Sequence, residues 1–143
     1  MADRFNLERF VLAQQDTYAA ALAEIGAGRK RSHWMWFIFP QIAGLGRSEI
    51  AQHFAIASRD EAIAYLAHPL LGPRLIACTS ALQALPDTAD AAAVFGPVDA
   101  LKLRSSLTLF AATGGPPIFG EAIGRWFAGQ ADVATLERLA AAK

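Results

Sequence analysis

Arg29-Lys30-Arg31-Ser32-His33-Trp34-Met35-Trp36-Phe37-Ile38-Phe39-Pro40-Gln41 is the stretch on which the fold turns. A basic triplet runs into a histidine, two of the chain's three tryptophans, two of its nine phenylalanines and a closing Pro-Gln. Fully burying a large apolar side chain contributes about 1.5–3 kcal/mol, so this segment belongs in the main core, Trp36 included. Its polar atoms, the imidazole, two indole N–H groups and the Gln41 amide, then need partners. By length alone the segment could be a buried strand, but nothing nearby offers a strand to pair with. Pro40 closes it, because the residue before a proline is biased away from helix.

Outward from that segment the hydrophobic spacing is helical nearly throughout. Upstream, Leu7, Phe10, Val11, Gln14, Tyr18, Leu22 and Ile25 recur three and four apart and predict one helix capped by Asn6. Gly26 and Gly28 end it. Downstream, Gly44-Leu45-Gly46 turns the chain, and Ser48 caps a short helix through Ala57. Ser58 with Glu61 predicts a capping box for a helix through Ala67. Pro69 opens a longer helix to about Leu85. Asp90 starts a short one ending at Phe95-Gly96, and Pro97 heads another through about Thr113. After the Gly114-Gly115-Pro116-Pro117 loop, helices over Ile118–Ala128 and Val133–Ala142 complete the chain. The expectation is an all-α fold, with residues 1–143 forming a single compact domain of about seven to nine short helices joined by short loops.

The 143 residues suit one domain. They are 54% hydrophobic, with a mean hydropathy of +0.27, which excludes disorder. Thirteen basic and thirteen acidic residues cancel, so no global field points to nucleic acid or to an anionic membrane. No run approaches the ~20 apolar residues of a membrane span. Met1-Ala2-Asp3-Arg4-Phe5-Asn6 shows no apolar leader region. The one cysteine, Cys78, has no disulfide partner within the chain. A cytoplasmic protein is the expectation, with no nucleic-acid partner and no membrane association.

Four blocks follow one another in order: GRKRSHWMWFIFPQIAGLGRS from Gly28, YLAHPLLGPRL from Tyr65, FGPVDALKLRSSLTLF from Phe95 and GQADVATLERL from Gly129. Together they resemble a bacterial family of uncharacterised proteins, a domain-of-unknown-function family with a mycobacterial-protein-type helical fold. The resemblance covers essentially the whole chain. It implies an all-α fold, as the periodicity does, and no established activity. Members sometimes carry the label calpastatin. A repeat-free chain this apolar cannot act as that disordered inhibitor does.

Chemistry is concentrated in two places. On the helix after Pro97, Leu103, Leu107 and Phe110 mark the core direction. At ~100° per residue, Asp99, Ser106, Thr113 and Lys102 fall about 40°, 60°, 80° and 100° to one side. Such a stripe is half-buried, so its groups must pair or line a cleft. Its bland explanation is an acidic first turn favoured by the helix dipole, with a surface ion pair between Asp99 and Lys102. The other place is the aromatic segment itself. A ligand site between segment 29–41 and helix 97–113 would use Arg29, Lys30 and Lys102 to neutralise an anion and Trp34 or Trp36 to stack a planar group. Gln41 and Ser106 would hydrogen-bond it, and His33 and Asp99 would be the candidate catalytic acid–base pair. Most economically, Asp99 accepts from His33 or Lys30, since burying His33, Gln41, Asp99 and Ser106 unpaired costs about 1–3 kcal/mol each.

A Ser106-His33-Asp99 triad can be written on paper only. CxxC, HExxH, P-loop and GxSxG signatures are missing, and His33, His53 and His68 have no metal-ligand spacing. The sequence names no cofactor and no metal, and it leaves open whether the protein is an enzyme. Two functions fit: binding of a small anionic or nucleotide-like molecule, or a protein-interaction module without chemistry.

Overall fold

A computed structural model describes residues 3–142. Ten helices follow one another among them: α1 (Glu8–Gln14), α2 (Tyr18–Gly26), α3 (Met35–Ile38), α4 (Glu49–His53), α5 (Arg59–Ala67), α6 (Leu71–Gln83), α7 (Ala91–Phe95), α8 (Pro97–Ala112), α9 (Ile118–Phe127) and α10 (Val133–Ala141). The fold is all-α.

Seven of the ten are seven residues or longer, and the first predicted helix is two of these. Asp16 and Thr17 interrupt it, residues whose side chains compete with the helical backbone. Nor does Asn6 cap it. Asn6 takes a left-handed φ of 53°, and Asp3 caps instead, accepting from Leu7 N at 2.8 Å and Glu8 N at 2.9 Å. Ser48, Ser58 and Asp90 do cap α4, α5 and α7 through their side-chain oxygens. Glu61 departs from the capping-box pattern. Its carboxylate reaches past Ser58 to Ala57 N at 2.8 Å and pairs with Arg9 at 2.7 Å. Pro69 is preceded by an unusual cap, as His68 Nδ1 accepts from Leu70 N (3.1 Å) and Leu71 N (3.2 Å) at the entry to α6.

The aromatic segment does find a pairing partner, contrary to expectation. One parallel bridge joins Ile42 to Ile56, with Ile56 N donating to Gln41 O and Ala43 N to Ile56 O, each at 2.8 Å. α3 itself is a single turn that buries Met35, Phe37 and Ile38.

The buried side chains form one contiguous cluster that draws on nearly every helix. Phe10 meets Tyr65 edge-on, Tyr65 meets Phe110, and Phe110 meets Phe119, with ring centroids 5.1, 5.3 and 6.0 Å apart. A second aromatic group joins Trp34, Phe39 and Phe95. The buried Gln14 amide is paired at both ends. Gln14 Nε2 donates to Phe37 O at 2.8 Å, and Arg74 donates to Gln14 Oε1 at 3.3 Å. Cys78 is buried, and burial pushes its thiol up to about 12, which leaves essentially no thiolate for reaction at neutral pH.

At the far end of α6, Arg125 of α9 donates to the carbonyls of Gln83, Leu85 and Pro86, while Trp126 Nε1 donates to Gln83 Oε1. The bond to Gln83 O satisfies a carbonyl that the helix end leaves open, and the others tie down the turn that follows it. Among the described residues no helix is long and apolar enough to cross a membrane.

Candidate functional site

Pro97 fixes the start of α8 behind Gly96, whose φ of 83° turns the chain out of α7. Asp99 therefore sits in the first helical turn, with Lys102 one turn on. Lys30 is brought opposite by the loop that leaves α2. Gly28 takes a positive φ of 77°, Arg29 N donates to Glu24 O at 3.0 Å, and Lys30 N donates to Val94 O at 2.8 Å. That last bond ties the basic triplet to α7 and delivers the Lys30 ammonium to Asp99. Nζ lies 2.9 Å from Oδ2, with the Lys30 side chain 8% exposed and that of Asp99 20%. Lys102 Nζ lies 3.6 Å from the other carboxylate oxygen and is 26% exposed.

Each ammonium also covers an indole. Lys30 Nζ is 5.1 Å from the Trp34 ring centre, and Lys102 Nζ is 5.0 Å from that of Trp36. These distances suit cation–π attraction. Two cations thus share one carboxylate, and one positive charge is left over.

The other expected residues fall as follows. Trp34 is fully enclosed, and its indole N–H donates to Glu24 at 2.9 Å. Trp36 is half-buried, so it is the more accessible of the two rings and not the core tryptophan. Arg29 is exposed. Gln41 is half-buried and uses its carbonyl in the bridge to Ile56. Ser106 is fully buried, and its hydroxyl has no hydrogen-bond partner among the described residues. His33 is exposed rather than half-buried, and the Asp99 contact goes to Lys30. The paper triad is therefore not assembled, since a buried Ser106 without a partner cannot be activated by an exposed imidazole. Among the described residues no group of three or more His, Cys, Asp or Glu is placed to hold a metal. Three concavities of about 440, 310 and 470 Å³ open elsewhere, along α10, beside Thr113–Pro116 and beside Asp3–Glu8.

One functional-looking residue escaped the sequence reading. The Glu24 carboxylate gathers Arg31 N (2.7 Å), Ser32 N (3.0 Å), Ser32 Oγ (2.6 Å) and the Trp34 indole N–H. Desolvation pushes its pKa up, but the Ser32 hydroxyl and these N–H donors outweigh that and hold it at about 2, against an ordinary 4.5. A carboxyl depressed on folding contributes stability that is complete above about 4.5 and lost as the pH falls towards about 2. Solvent screening at this partly exposed position reduces the contribution to about 1 kcal/mol or less. Urea midpoints measured between pH 6 and pH 2.5 should fall more steeply for the native chain than for Glu24→Gln, and equal slopes would contradict this account.

A family model described as "Protein of unknown function (DUF1810)" matches residues 4–139. The chain belongs to this family. The crystal structure of the conserved hypothetical protein Rv1873 from Mycobacterium tuberculosis is similar at 45% identity. The match covers 96% of this chain and 99% of that one, with a TM-score of 0.94. No functionally curated protein matches the chain significantly. Family membership thus carries the fold and no activity.

Proposed function

We propose that this member of the DUF1810 family binds a small anionic, nucleotide-like molecule beside the Lys30–Asp99–Lys102 cluster, in the cytoplasm. One observation carries the reading: two ammonium groups converge on one carboxylate, and the positive charge left over sits beside a half-exposed indole. Lys102, the more exposed lysine, would meet the anion, joined by the exposed Arg29, whose guanidinium forms bidentate bonds to phosphate or carboxylate. Trp36 would stack a planar group. Asp99 would hold both lysines in register rather than touch the anion, and the exposed His33 would be the group available for proton transfer.

Calorimetric titration with AMP, inorganic phosphate and benzoate tests this. Binding of AMP should weaken about tenfold or more in Lys102→Met, equivalent to about 1.4 kcal/mol, and should weaken with added salt. Binding unchanged in Lys102→Met and Arg29→Ala overturns the proposal.

The same helix favours a second reading, an interaction module. Val98 and Leu101 stand one turn apart on α8, 65% and 63% exposed, close in sequence to Asp99 and Lys102. Loss of a partner in Leu101→Lys, with AMP titrations silent, would support it.

A further inference from the structure

A groove of about 470 Å³ opens between the chain's first described turn and the α5–α6 corner, and it shares no residue with the lysine cluster. Its volume falls within the ~300–1,000 Å³ of small-molecule sites. Phe5 and Pro69 contribute apolar wall, and Asp3, Arg4, Glu8 and His68 contribute polar groups. We propose that this groove binds a free α-amino acid with an apolar side chain, its ammonium against Asp3 and Glu8 and its carboxylate against the His68 ring N–H and Arg4.

Four features argue for that class. First, the Asp3 carboxylate is fixed by accepting Leu7 N and Glu8 N, one on each oxygen, and each oxygen keeps a lone pair for a further donor. The Glu8 and Leu7 N–H groups hold its carboxyl below the usual range, so it stays charged. Second, His68 Nδ1 accepts two backbone N–H groups, so the ring proton sits on Nε2. That N–H makes no hydrogen bond among the described residues, and His68 lines the groove. Third, Arg4 and Glu8 form no ion pair among the described residues, although both border the same groove. Groups of both signs around one cavity suit a zwitterion better than a simple anion or cation, because each ligand charge meets an opposite one. Fourth, the Phe5 ring carries Arg4 over one face at 4.8 Å, which sets a cation beside an apolar wall, as a carboxylate next to an apolar side chain requires.

The test is amide-resolved NMR titration of the full ¹⁵N-labelled chain with L-phenylalanine, phenethylamine and 3-phenylpropionate separately. L-Phenylalanine should shift the amides of Phe5, Glu8 and Leu70 saturably, at least fivefold tighter than either molecule lacking one charge. Glu8→Gln, a change at an exposed side chain, should weaken it fivefold or more. His68→Asn keeps an acceptor for Leu70 N and Leu71 N while removing the imidazole N–H, and should weaken it as well. The proposal is overturned if none of the three shifts these amides saturably, if either one-charge molecule binds as tightly as L-phenylalanine, or if both variants bind it undiminished.

Discussion

Trp34→Ala should lower the unfolding free energy by about 3–5 kcal/mol, the range for truncating a large aromatic in a core. Trp34 is fully buried and packs edge-on against Phe95 at 6.1 Å. The truncation removes more than volume. It takes one of the four donors from Glu24 and strips the indole from beneath the Lys30 ammonium. The loss therefore spreads to the loop that delivers Lys30 to Asp99. Trp36→Ala, at a half-buried ring, should cost about 1–2 kcal/mol. Urea unfolding at neutral pH checks both, and equal costs for the two substitutions would contradict the assignment of Trp34 as the core residue.

A comparable loss is expected at Glu61→Ala. Glu61 is buried and pairs with Arg9, a guanidinium that also donates to the carbonyls of Phe5, Asn6, His53 and Ala55. Removing one partner of a buried pair typically costs about 3–5 kcal/mol, because the remaining charge stays enclosed. Here Ala57 N also loses its acceptor. With total stability for a domain of this kind at about 5–15 kcal/mol, the variant should show a markedly lower urea midpoint. Glu61→Gln keeps an acceptor for Ala57 N and should recover part of the loss. A midpoint unchanged in Glu61→Ala would show that the pair contributes nothing.

Most of the architecture was legible because it rests on local signals. Pro97 at the head of α8, the Ser48, Ser58 and Asp90 caps and the Gly114–Pro117 loop each act within a few residues, and each is where the spacing placed it. The failures needed tertiary information. Periodicity runs across Asp16 and Thr17 without registering the break, because the buried Phe10, Gln14, Ala21 and Ile25 keep helical spacing through it. Aromatic density marked segment 34–39 as core and counted Trp36 fully into it, but Trp36 is only half-buried and Trp34 is the enclosed ring, because α3 is too short for its spacing to set a helical face. The cost of leaving half-buried charge unpaired pointed Asp99 to His33 or Lys30 without choosing between them, and the contact goes to Lys30. Glu24 did not, since its worth as an acceptor comes only from the folding back of residues 31–34.

The three carbonyls that Arg125 gathers at the end of α6 bear on the order in which the chain can mature. Gln83, Leu85 and Pro86 precede Arg125 by 39 to 42 positions. During vectorial synthesis α6 therefore emerges well before the side chain that closes it, and a ribosome-bound intermediate must leave the Gln83 and Leu85 carbonyls to water. A nascent chain stalled ahead of Arg125 should be held at this point, and release of α9 from the tunnel becomes the event that locks the middle of the molecule shut.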